Sequence, residues 1–201
     1  MFSTAVLLSF LAAAAAASPV RRVGNCPWNG TPDANGPFTF LATYDNDTTI
    51  QKPLALGSNG EDGIVVSWLG TTESIASVVA SNFTLTDNGI TAYPDNGTDI
   101  SVSDPVASTN GWLSFIKPDA GVTIPPSPAY CELFNTSPHG TEFPYGLAVA
   151  SDSDHFSLCK SLTSPQELVI YNATEDGAAN SGFDFSSCDA VHVHIIITNP
   201  E

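Results

Sequence analysis

Along this chain apolar and polar residues alternate with period two in short runs, and the 3.6-residue period of an amphipathic helix hardly appears. Residues 38–44 (FTFLATY), 63–70 (GIVVSWLG), 81–93 (SNFTLTDNGITAY), 111–118 (GWLSFIKP), 145–152 (YGLAVASD), 155–161 (HFSLCKS), 166–173 (QELVIYNA) and 190–198 (AVHVHIIIT) each predict a strand. Between them lie clusters of Gly, Pro, Asn and Asp, the residues that turns require. Thr86-Asp87-Asn88-Gly89-Ile90 reads as a hairpin, with Asn88-Gly89 supplying the φ > 0 positions of a type I′ turn. Residues 149–158 (VASDSDHFSL) read as two strands joined by a short polar loop. Residues 71–82 (TTESIASVVASN) are the one candidate helix, weakened by β-branched Ile75, Val78 and Val79. Residues 117–130, with four prolines, form a loop, because proline cannot donate within a ladder. Neither the strands before that loop nor those after it suffice for a domain. The expected fold is all-β: a single-domain antiparallel β-sandwich or irregular barrel, stabilised by disulfides.

The first 17 residues add a compartment. An apolar, alanine-rich run ends in Ala15-Ala16-Ala17 before Ser18, as at a signal-peptidase site after Ala17, although the usual positive start is missing. No run reaches the roughly 18 apolar residues of a membrane span. Arg21-Arg22 follows closely and suits trimming of a pro-segment, so residues 1–17 read as signal, 18–22 as pro-segment and 23–201 as one β-rich domain. A secreted chain, extracellular or in a cell wall, is the consequence. Four cysteines, Cys26, Cys131, Cys159 and Cys188, then predict two disulfides. Three pairings are possible; Cys159–Cys188 within the C-terminal strands and Cys26–Cys131 tying down the N-terminus fit the element order best. No CxxC is present, which disfavours a redox dithiol or zinc ribbon. Six Asn-x-Ser/Thr sequons, at Asn29, Asn46, Asn82, Asn96, Asn135 and Asn172, predict N-glycosylation.

Charge narrows the partners. Residues 23–201 carry three lysines against 21 carboxylates, a formal charge of −18, so nucleic acid and anionic membranes are repelled. At 42% hydrophobic and 13% charged, the chain still has the apolar surface to fold.

Candidate chemistry is sparse. His192 and His194 share one strand face, at a spacing from which two imidazoles can converge on a metal. A zinc site needs a third ligand, and His139 and His155 stand in loop-like contexts, so two half-exposed histidines on a polar face is the plainer reading. Asp152, Asp154 and His155 form the densest acid–base cluster; they lack the spaced oxygens of a calcium loop and read first as a solvated turn. Nucleophile-elbow, zinc-protease, phosphate-loop and aspartic-protease motifs are missing, and no pair among the 21 carboxylates is marked as a glycosidase pair. The sequence therefore points away from an enzyme and implies no cofactor. Of three tryptophans, Trp68 and Trp112 lie in apolar strands and read as core, while Trp28 in NCPWNG is the candidate for stacking on a sugar.

Residues 35–50 (NGPFTFLATYDNDTTI) after the signal, FTLTDNGITAY at 83–93, and the ending FSLCKSLTSPQELVIYNATED…SSCDAVHVHI from Phe156 to Ile195 resemble a group of small secreted fungal proteins, the PhiA-like cell-wall proteins. The likeness covers the order of elements over most of residues 23–201 and departs after Tyr44. It implies a fungal wall-associated or extracellular glycoprotein, carries over no catalytic residue, and names no ligand. The expected function is non-enzymatic, with wall polysaccharide or an extracellular protein as partner. The alternatives are a glycoside-acting enzyme with an unidentified carboxylate pair, and an effector or immunomodulatory protein acting on a host.

Overall fold

The computed structural model describes residues 30–31, 33–34, 36–58, 66–94, 100–104, 109–134 and 142–198. In chain order its strands are β1 (Gly30–Thr31), β2 (Phe38–Tyr44), β3 (Gln51–Ser58), β4 (Val66–Thr71), β5 (Val78–Ala80), β6 (Asn82–Thr86), β7 (Gly89–Tyr93) and β8 (Ser101–Ser103). Then come β9 (Gly111–Trp112), β10 (Ser114–Ile116), β11 (Tyr130–Phe134), β12 (Tyr145–Val149), β13 (Phe156–Ser161) and β14 (Glu167–Tyr171). One short helix, α1 (Glu175–Ser181), precedes the long β15 (Phe183–Ile197).

Nine strands close into an antiparallel barrel in the order β2–β15–β13–β14–β4–β10–β8–β7–β6 and back to β2. The all-β expectation thus resolves into the barrel. Closure removes the free edges that an open sheet presents to other chains. Inside, alternation works as strand geometry dictates: Phe38, Phe40 and Ala42 of β2, Phe83 of β6, Phe115 of β10, and Val191, Val193 and Ile195 of β15 are buried in one core. The rings of Phe38, Phe40, Phe83 and Phe115 touch one another at centroid distances of 4.6 to 6.1 Å. Each such ring contributes roughly 1.5–3 kcal/mol by leaving water, and together they fill the barrel with side chains.

Three additions decorate this barrel. β3 bridges β2 to β4 and carries β5. β1, β11 and β12 form a meander that joins β15 through the single pairing Gly146–His194. On the outer wall, Cys159, Ile170, Ala178 and Phe183 make a second small core beneath α1, with Trp112 and Cys188 against it. The Cys159–Cys188 disulfide forms as expected. It sits where β13 and β15 slip register between Leu158 and Lys160, and the surplus residues of β15 bulge out to bring Cys188 across. Cys131 is also disulfide-bonded; Cys26, its expected partner, lies outside the described residues, as do Ala17, Arg22, Trp28, Asn29, Asn96, Asn135 and His139.

Several expectations shift. Residues 71–82 form the end of β4, turns, β5 and the start of β6, not a helix, because Ile75, Val78 and Val79 suit a half-buried pleat better. The helix forms instead at 175–181, where Asn110 reaches from before β9 to accept the Thr174 N–H at 2.6 Å, and Gly182 closes it at φ 77°. The β6–β7 hairpin exists, but its left-handed residues are Asp87 (φ 50°) and Asn88 (φ 66°), one position earlier than expected. Gly89 is needed for a different reason: a Cβ there would lie 2.6 Å from Pro126 of the proline-rich loop. β12 and β13 do not pair with each other; both lie along β15, joined by a tight turn with Ala150 and Ser151 at positive φ.

Candidate functional site

β15 places His192 and His194 on the outer face, as the alternation predicts, but gives them different fates. His194 is only 4% exposed, so the expectation of two half-exposed rings holds for His192 alone. Phe143, in the approach to β12, stacks on His194 at 4.8 Å, and His194 Nε2 shares a 2.8 Å hydrogen bond with Thr43 Oγ1. Its Nδ1 is buried without a hydrogen bond of normal geometry among the described residues. Burial, with a smaller push from His192, lowers the His194 pKa to about 4, and the Tyr145 backbone only partly offsets this. His192 turns instead toward Asp45 Oδ1, at 3.5 Å. The imidazoles do not converge, and among the described residues no three His, Cys, Asp or Glu side chains are placed to share a metal ion.

The SDSDH turn is more ordered than a solvated loop. Asp152 Oδ2 lies 2.5 Å from His155 Nδ1, while Asp152 Oδ1 accepts the Asp154 N–H at 3.0 Å. The Tyr171 hydroxyl also bonds Asp152. Burial works to raise the Asp152 carboxyl, but the Asp154 amide, His155 and Tyr171 together hold it below the usual range. The burial of Tyr171 and the Asp152 charge in turn push that phenol up to about 12. This dyad orients one imidazole at the surface.

Two carboxyls that the sequence did not mark are raised by burial. Glu132, on β11, is 3% exposed, and its Oε2 has no hydrogen-bond partner among the described residues. Alternation puts it on the same face as Tyr130, within the main core. Asp104 is raised by burial as well, partly countered by Ser114. The signal for Glu132 was a lone acid in YCELF, a strand that alternation alone did not reveal.

The core reading of the tryptophans holds in part: Trp112 packs against the small outer core, and neither indole enters the barrel interior. Phe115 and Leu69 face inward, so their neighbours Trp68 on β4 and Ser114 on β10, paired across the strands, face outward. Trp68 and Trp112 are both half-buried on the outer wall, with ring centroids 5.4 Å apart and planes at 35°. Trp112 is held rigidly: its Nε1–H donates to the Ser181 carbonyl at 2.7 Å and its ring meets Phe183 edge-on. Trp68 is flanked across the strands by Ser114 and Gly57, both small, with Ile75 filling the space over Gly57. The result is an aromatic strip beside hydroxyl-bearing strands, fixed before any ligand arrives.

Of the described sequons, Asn46 is exposed in a bend, Asn82 is half-buried at the start of β6, and Asn172 sits at φ 52° between backbone bonds to His155 and Asn110. No described helix is long and apolar enough to cross a membrane. Compared with known protein families, with curated proteins and with solved structures, the chain shows no match.

Proposed function

We propose that the protein is a non-catalytic, secreted fungal glycoprotein of the cell wall or extracellular space, and that its outer barrel wall binds neutral polysaccharide. The observation that carries this reading is the Trp68–Trp112 pair, held on the outside of a barrel whose interior is filled with side chains. Planar indoles offer broad apolar faces at low entropic cost, and the polar edges around them suit a ligand that is itself half apolar and half hydroxyl. The formal charge of −16 favours neutral glycans over anionic ones. The likeness to PhiA-like wall proteins and the exposed Asn46 sequon point the same way. The test is depletion from solution by insoluble chitin or β-glucan, with reducing sugar followed in the supernatant. Saturable depletion without sugar release is expected; no depletion, or release abolished by one Asp or Glu substitution, contradicts the reading.

A further inference from the structure

A second feature of the outer wall arises from topology. β15 occupies one edge of β2 along its whole length, so β3 and β6 must share the other edge: β3 pairs from Phe40 to Thr43, and β6 pairs at Phe38. Where they diverge the sheet forks, and at the fork lies a cleft of about 320 Å³. Its walls are Leu41, Pro53, Ile196 and Phe143, the last being the ring stacked on His194. Thr39, Thr72 and Ser81 line it as well, yet the surface exposed to the cleft is almost wholly apolar. Among the described residues no charged side chain lines it.

We infer that this cleft is a binding site for a small, uncharged and mainly apolar molecule. The volume sits at the lower end of the roughly 300–1,000 Å³ typical of small-molecule sites, which suits a single ring system or short chain. A charged head would be left unpaired there, since burying an ion without a partner is costly. An anionic head is disfavoured twice, because the whole chain is strongly acidic. The site is independent of the tryptophan pair, so it stands or falls separately from polysaccharide binding.

The test uses the secreted, full-length protein and the uncharged dye N-phenyl-1-naphthylamine, read by its fluorescence, with decanol and decanoate as competitors at pH 7. The dye binds saturably, and decanol displaces it at concentrations about tenfold or more below those decanoate needs. Ile196→Arg places a charge in the cleft and weakens dye binding about tenfold or more. Pro53→Arg does the same from an exposed position where folding is not at stake. Trp68→Ala leaves dye binding unchanged. Absence of saturable binding, equal competition by decanoate, or folded arginine variants that bind like the parent protein would overturn the assignment.

Discussion

His194 makes the clearest residue-level case, because one side chain combines burial, a hydrogen bond to Thr43 and an aromatic lid. Its folded pKa of about 4 lies below the ordinary 6.5. As pH falls from 6.5 to 4, the unfolded chain takes up a proton that the folded chain refuses, so stability drops across that window and this contribution is constant below it. The loss is roughly 3 kcal/mol. His194→Phe should sacrifice about 1 kcal/mol at pH 7 through the Thr43 bond yet lose distinctly less between pH 7 and 4.5, as measured by urea unfolding at both values. An equal loss in the two proteins would show that the ring is free to charge. At Asn46, exposure in a bend predicts an occupied glycan: Asn46→Gln should remove one glycosidase-sensitive mass increment from protein expressed through a eukaryotic secretory pathway. That His192 and His194 share a face was legible from alternation. That one of them is buried was not, since the covering Phe143 is distant in sequence.

Among elements, those that depend on local signals were readable and those that depend on a partner were not. Phe38–Tyr44 appears with the same bounds in sequence and structure, because its pattern is strict and its flanks are Gly, Pro, Asp and Asn. β3 escaped notice, since Pro53 interrupts its pattern and its burial comes from β2 and β4 on either side. β15 begins at Phe183, before the apolar run at 190–198, because the bulge that serves the disulfide breaks the alternation. These contacts set two predictions. A Cβ at Gly70 would lie 2.6 Å from the Glu167 carbonyl, backbone that cannot yield, so Gly70→Ala should open the β4–β14 seam and cost about 1–3 kcal/mol. Glu132, raised by burial, weakens the fold as pH rises and the unfolded chain gives up its proton first. Glu132→Gln should therefore raise the melting temperature at pH 7.5 and change it little at pH 4. A lower melting temperature at pH 7.5 would mean that the carboxylate is stabilised by a partner.

Across the whole molecule, composition and spacing announced a disulfide-bearing β fold but not its closure. Closure depends on β2 meeting both β15 and β6, a pairing that strand periodicity does not specify. The forks in the sheet follow from the same pairings: one makes the cleft beside Phe143, and the other lets β12 follow β13 along β15. Closure also decided the tryptophans. In apolar strands they read as core, yet the barrel interior is already full of phenylalanine and aliphatic side chains, so the outward positions of β4 and β9 hold the indoles. The disulfide secures this wall: replacing Cys159 and Cys188 together by alanine should cost about 3–4 kcal/mol and loosen the small core against which Trp112 rests. A surface arranged this way predicts binding at the wall of the barrel. The most direct measurement is the adsorption isotherm of Trp68→Ala on insoluble neutral polysaccharide, beside the parent protein and with equal thermal stability confirmed. Removing one stacking indole should weaken adsorption about tenfold. Adsorption identical to that of the parent protein would contradict the account.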